Sequence, residues 1–154
     1  MKAVVQRVTD AQVTVNGSVK GKIKTGLLVY LGVAQDDSEA DADWLCNKIV
    51  NLRIFDDDNG VMNLSLGEIG ADAGLLVVSQ FTLLADARKG RRPSWNAAAA
   101  PEKAKELYEY FLAKINGCGL LCESGEFQAH MKVSYTNDGP VTILLDTKSV
   151  NLPG

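Results

Sequence analysis

Apolar and polar residues alternate over residues 2–8 and 11–15. Ala3 and Val5, then Val13 and Val15, are set against Gln6, Gln12 and Thr14. The pattern predicts two half-buried strands with a turn at Thr9-Asp10. Asn16-Gly17 is a hairpin signal, and the next strand, Val19 to Ile23, carries Lys20 and Lys22, which wet one of its faces. From Gly26 the alternation stops. Leu27 to Val33 is almost continuously apolar, as in a strand buried on both faces, and Leu75-Leu76-Val77-Val78 after Gly74 has the same character. Two stretches switch to helical spacing. Ser38 precedes Glu39, Asp41 and Asp43, acids suited to a helix start, and Trp44, Leu45, Ile49 and Leu52 continue to Arg53. Pro101 opens the second helix, whose stripe is Ala104, Leu107, Tyr108, Phe111, Leu112 and Ile115, ended by Asn116-Gly117; that stripe is read as core packing. Ile54-Phe55, 119–123, 129–136 and Val141 to Leu145 supply further strands. Two helices and about eight strands define an α/β fold, a single domain over 1–154 with mixed sheets and both helices packed on one face.

Composition narrows the class. The chain has 154 residues, enough to bury a core, and 46% hydrophobic residues, ordinary for a globular protein. No apolar run approaches the roughly 20 residues of a membrane helix. Met1-Lys2-Ala3-Val4-Val5-Gln6-Arg7 turns charged too early for a signal peptide, so a cytoplasmic location is expected. The three cysteines, Cys46, Cys118 and Cys122, are odd in number and carry no metal-ligand spacing. Asp56-Asp57-Asp58-Asn59-Gly60 lacks the alternating ligands and terminal Glu of a calcium loop and is read as a tight turn. No metal and no cofactor are expected. The net charge of −3 argues against general nucleic-acid coating. A local patch can still bind RNA, and Arg88-Lys89-Gly90-Arg91-Arg92 is the one candidate.

Candidate chemistry gathers in two places. At Ser79-Gln80-Phe81-Thr82-Leu83 the buried run gives way to hydroxyls and an amide around one Phe, and the basic cluster begins five residues later. A polar strand end beside a basic loop suits a phosphate-bearing substrate, although these residues alone fit an ordinary strand end and a solvated loop better. The second place is Asn137-Asp138-Gly139-Pro140-Val141-Thr142, between the last two predicted strands. Asp-Gly-Pro is turn chemistry, but Gly also permits close backbone approach, and a Gly-Pro bond adopts cis for only ~0.5–1 kcal/mol. The single histidine, His130, has no Ser, Cys or Asp pattern near it, and there is no phosphate-binding Gly-rich motif. An enzyme built from this chain would work by positioning and backbone donors.

Together, Ser79-Gln80-Phe81-Thr82-Leu83 and Asn137-Asp138-Gly139-Pro140-Val141-Thr142 resemble the motif pair of the D-aminoacyl-tRNA deacylases. The resemblance runs from Val5-Gln6-Arg7-Val8 through Gly26-Leu27-Leu28-Val29, Met62-Asn63-Leu64, Arg92-Pro93-Ser94 and Gly125-Glu126-Phe127 to the last strand. Two departures stand out: Trp95 where the family usually has Phe, and His130 where it commonly has Asp.

The resemblance implies a three-layer α/β/β fold and a homodimer with two sites at the subunit interface. It implies a cis Gly139-Pro140 pair inserted into the partner's site and held by Arg7, and the removal of D-amino acids, or misplaced glycine, from the 3′ end of tRNA. Ser79, Gln80, Phe81 and Thr82 are then the catalytic residues, and Gly139, Pro140 and Arg7 set chiral selectivity. Phe127 and Met131, with Arg88, Lys89, Arg91 and Arg92, form the substrate pocket and tRNA contact. Backbone N–H groups near Phe81 and Thr82 would stabilise the oxyanion, with the ribose 2′-OH assisting; the rival is Thr82 as covalent nucleophile. A noncatalytic RNA-end or nucleotide-binding module on the same scaffold is the alternative from another class.

Overall fold

The computed structural model describes residues 1–150; the last four residues of the expected 1–154 domain lie outside the described residues. Among the described residues there are eight strands and two α-helices: β1 Lys2–Val15, β2 Ser18–Ile23, β3 Gly26–Gly32, α1 Glu39–Val50, β4 Phe55–Asp56, β5 Met62–Leu64, β6 Gly74–Ser79, α2 Pro101–Gly117, β7 Leu121–Ser124 and β8 Lys132–Asp146. Among the described residues no helix is long and apolar enough to cross a membrane.

Two expected turns are absorbed into long strands. Thr9 and Asp10 do not reverse the chain, because β1 stays antiparallel to β8 along its whole length and takes up the irregularity as register shifts around Val8. Val8 and Ala11 stay buried on either side of it. Likewise Asn137–Thr142 does not separate two strands. β8 pairs with β1 before and after it, from Thr14↔Lys132 to Val8↔Asn137 and again from Gln6↔Thr142 to Lys2↔Asp146, so residues 138–141 bulge outward opposite Arg7. The Asn137 side-chain amide ties the base of the bulge, donating to the Arg7 carbonyl at 2.9 Å and to the Val141 carbonyl at 3.0 Å. A bulge re-aims the residues it extrudes without ending the ladder.

The main sheet has the order β2-β1-β3-β6-β7, with β8 on β1. The β3–β6 and β6–β7 pairs are parallel and the β1 pairs antiparallel, so the sheet is mixed. It curls until β2 meets β7: a Cβ added at Gly21 would lie 2.7 Å from the Ser124 carbonyl oxygen, so only glycine allows this approach. The curl encloses Val8, Ala11, Val13, Ile23, Leu28, Leu76 and Val78. The opposite face of the same strands, with Leu27, Val29, Leu31, Leu75 and Val77, packs beneath Leu45 and Ile49 of α1 and Phe111 and Ile115 of α2. Burial on both faces explains why β3 and β6 read as unbroken apolar runs. Helices on one face and the curled sheet beneath give the three layers.

α1 starts with a capping box, Ser38 N–H donating to Asp41 at 2.9 Å. Asp41 and Asp37 also face the buried ammonium of Met1, 2.6 Å from Asp37 and 3.7 Å from Asp41. Thr147, just past β8, donates to Asp41. These contacts lock the start of α1 to the paired ends of β1 and β8.

Candidate active site

Ser79 is the last residue of β6, in register with Leu31 of the parallel strand β3. The chain leaves the sheet at Gln80, whose N–H still donates to the Leu31 carbonyl at 2.8 Å. It then coils into a 3-10 turn, Phe81–Leu84, with Leu83 N–H on the Gln80 carbonyl at 3.2 Å. The first N–H groups of such a turn have no carbonyl behind them. Among the described residues the N–H groups of Phe81 and Thr82 accordingly have no backbone partner. The Thr82 hydroxyl accepts from the Gln80 side-chain amide, a group that cannot act as a base.

A cavity of about 550 Å³ opens at this strand end. Ser79, Gln80 and Phe81 form one wall, and Phe127, Gln128, His130 and Met131 another. The first turn of α2 adds Pro101 and Ala104, placing the positive end of the helix dipole at the wall. The expected strand over 129–136 begins only at Lys132, because Gln128, at φ 64°, reverses the chain in a turn closed by Ala129 N–H on the Glu126 carbonyl at 3.2 Å. That reversal puts both Phe127 and Met131 on the cavity. Tyr108, read from its spacing as core, is buried and also lines the cavity. Its hydroxyl donates to the Val77 carbonyl at 2.9 Å and its ring packs on Phe127 at 5.8 Å. Burial, with Cys122 nearby adding to it, pushes the phenol well above its usual range, so it serves as a neutral donor. Helical spacing gave no hint of this second face; Gln128 carried no sequence signal, and His130 was expected within the 129–136 strand rather than on the cavity.

The basic cluster forms a loop closed by paired backbone bonds between Asp86 and Ser94, both 2.9 Å. Arg88 forks onto Asp86 through Nε at 2.8 Å and Nη2 at 2.7 Å. These bonds hold the Asp86 carboxyl far below the usual carboxylate range and raise Arg88. Lys89, Arg91 and Arg92 form no ion pair among the described residues. Just past the loop, Trp95 meets Phe81 edge to face, ring centres 5.2 Å apart.

Gly139 and Pro140 are joined by a cis bond and sit exposed on the β8 bulge. Arg7 lies buried behind them. Its Nη1 donates to the Ile54 carbonyl at 2.8 Å and lies 3.3 Å from Asp56. Its Nε is 3.1 Å from Asp138 but makes no well-aligned hydrogen bond. Arg7 thus donates to a carbonyl, though that of Ile54. A second cavity, about 650 Å³, adjoins Arg7 and Asp138. It has no polar strand end, so the chemistry is assigned to the first. Within one chain the two motifs are apart. Arg7, opposite the bulge, pairs with Leu27 near the start of β3, whereas Ser79 pairs with Leu31 near its end. Four residues of strand separate those levels by about 13 Å.

A cavity at the carboxyl ends of parallel strands, with free backbone donors and no charged nucleophile, defines a class of α/β protein that binds a ligand by its backbone. The particular family follows from comparison with known proteins. The D-Tyr-tRNA(Tyr) deacylase family model matches residues 4–146, and the chain belongs to that family. It is 61% identical over 151 residues to a D-aminoacyl-tRNA deacylase of Thermosipho melanesiensis, covering 97% of this chain and 99% of that one. It is 60% identical over 148 residues to that of Koribacter versatilis, covering 96% and 98%. Among solved structures, one titled c-Myc DNA Unwinding Element Binding Protein superposes with a TM-score of 0.86 at 39% identity, covering 95% of this chain and 98% of that one. A probable eukaryotic D-amino acid tRNA deacylase, 17% identical, shares the fold with a TM-score of 0.81 over 94% and 97%.

Proposed function

We propose that this chain, a single domain over 1–154, hydrolyses the ester of D-aminoacyl-tRNA, and of mischarged glycyl-tRNA, to give free tRNA and the amino acid. The observation that carries the reading is the pair of N–H groups at Phe81 and Thr82 without a backbone partner, at the start of a turn whose Phe81 lines the cavity, in a chain of this family. Water adds to the ester carbonyl carbon, and the resulting oxyanion accepts from these donors. The C–O bond to the ribose then breaks, and the leaving ribose oxygen takes up the proton released by the water. The ribose 2′-OH orients that water or relays its proton. Thr82 is paired to an amide and has no base, which favours this route over a threonyl ester.

The chirality filter we assign to the Gly139 and Pro140 carbonyls acts in the site of a second copy, in a homodimer with a site at each end of its interface. Three features support that arrangement. The two motifs are separated within one chain. The outer edge of β8 has no strand partner among the described residues. Leu144 on β8 is 75% exposed, an apolar side chain that a partner would cover. A D-amino acid turns its side chain away from such carbonyls, an L-amino acid drives its side chain into them, and glycine has none to exclude. The expected location is the cytoplasm, where charged tRNA is used.

The test is release of the amino acid from D-Tyr-tRNA and L-Tyr-tRNA by purified protein. D-selective release is expected, and Thr82→Ala should retain activity within about tenfold of wild type in single turnover. Loss of all chemistry in Thr82→Ala with substrate still bound, plus a trapped ester on the wild-type threonine, would overturn the substrate-assisted route. The second reading, a noncatalytic nucleic-acid-end module, draws on the likeness to the solved DNA unwinding element binding protein; binding without release of either amino acid would favour it.

A further inference from the structure

We propose that Phe81 and Trp95 form a stacking platform for the nucleobase preceding the terminal adenosine, with Lys89, Arg91 and Arg92 meeting the phosphates beside it. The proposal rests on reading the cavity as the seat of the aminoacylated adenosine. Both rings are large and open, Phe81 56% and Trp95 40% exposed. Their planes meet at 65°, and an edge-to-face pair cannot cover both faces of each ring, so aromatic surface stays open at the cavity rim.

The platform is held in place before anything binds. Ser94, next to Trp95, is bonded twice to Asp86, and the Trp95 carbonyl accepts from Ala98 N–H at 2.9 Å. The Asn96 carbonyl accepts from the Gln35 amide at 2.6 Å. Ala98 itself lines the cavity, so the fixed turn ties Trp95 to the pocket wall. The charge beside it names the occupant. In a chain of net charge −3, three cations without an ion pair among the described residues sit within six positions of Trp95. Open aromatic faces next to a run of cations suit single-stranded nucleic acid, whose bases stack and whose phosphates are anionic. A pocket holding the terminal adenosine leaves the preceding unpaired nucleotide at its rim, where these rings lie.

The experiment compares two esters: D-Tyr-tRNA, and 3′-O-D-tyrosyl-adenosine, which has no preceding nucleotide. Trp95→Ala should lower kcat/KM on D-Tyr-tRNA about tenfold or more, change the adenosine ester less than about twofold, and be largely rescued by Trp95→Phe. In a Trp44→Phe protein, whose remaining indole is Trp95, the trinucleotide CpCpA should quench fluorescence where AMP does not. Equal losses of Trp95→Ala on both esters, or no quenching at saturating CpCpA, would overturn the platform. If neither ester is hydrolysed by the wild type while CpCpA still quenches Trp95, the platform stands and the catalytic reading falls. If both esters are hydrolysed and Trp95→Ala changes neither, the reverse holds.

Discussion

At Gly139 the backbone sits at φ +117°, a conformation that L side chains rarely adopt. An added Cβ would lie 2.8 Å from Val141 Cγ2 and 3.2 Å from Arg7 Nη2. Gly139→Ala should therefore displace the bulge, at a cost of about 1–3 kcal/mol, and deacylation of D-Tyr-tRNA should fall sharply. A circular dichroism spectrum like that of the wild type would separate this from unfolding; unchanged activity would remove Gly139 from the site. Arg7 presses on the same bulge from below, with its charge divided between Asp56 and Asp138. At the other motif, Gln80 precedes the 3-10 turn with φ −144° and ψ 81°, outside the helical region that a following proline disfavours. Phe81→Pro would delete one N–H donor at the first position of the turn, where proline fits. The expected result is a fall in kcat of about 100-fold or more with the turn intact. Retained kcat would mean that the oxyanion is stabilised elsewhere.

Among the elements, the start of α1 and the paired ends of β1 and β8 share a buried ionic cluster. Burial alone would push the Asp41 carboxyl up. Bonds from Thr147 and Ser38, with the Met1 ammonium nearby, outweigh that and lower it to about 2 from 3.8. A carboxyl depressed in the folded state adds stability above its unfolded value, and that stability is lost as pH falls through the folded one. Acid unfolding should therefore show a loss of about 2 kcal/mol between pH 3.8 and about 2, which Asp41→Asn would flatten. Denaturant midpoints across that window check it, and identical pH slopes in the two proteins would refute it. The 86–94 loop makes a different prediction. Arg88 is already matched by Asp86, so Arg91→Gln plus Arg92→Gln should flatten the salt dependence of tRNA binding by at most about one log-log unit per lost phosphate contact, and Arg88→Gln by less. D over L preference should not move. Equal slopes in all three proteins would assign the loop to solvation.

For the whole molecule, the separation of the two motifs decides how a site could be completed. If a second copy supplies Gly139-Pro140, mixing Gly139→Ala chains with Phe81→Pro chains rebuilds one good site in each mixed dimer. With random pairing, half of the dimers are mixed and half of their sites are good, so about a quarter of wild-type activity should return. Activity no higher than that of either parent would place both motifs in one subunit's site. The curl of the sheet makes such an arrangement possible. It buries β3 and β6 on both faces and leaves the outer edge of β8, with Leu144, open to a partner.

Much of this protein was legible in its sequence because the signals are local. Strand and helix periodicity follow from which face each residue buries, so β3, β6, α1 and α2 read correctly from the spacing of their apolar residues and the cap signals at the helix ends. The two motifs were visible because hydroxyls, an amide and Gly-Pro interrupt that spacing. What was not legible depends on partners distant in the chain. Thr9-Asp10 and Asn137–Thr142 carry turn chemistry, yet both stay within strands because β1 and β8 pair on either side of the bulge, and that ladder outweighs the local preference. Gln128 is an ordinary polar residue until a left-handed turn aims Phe127 and Met131 at the cavity. Tyr108 is one more stripe residue until its hydroxyl finds the Val77 carbonyl across the core. The amino acids set which surfaces must be buried; only the curled sheet determined which of them meet, and so where the donors, the cavity and the Gly139-Pro140 bulge lie relative to one another.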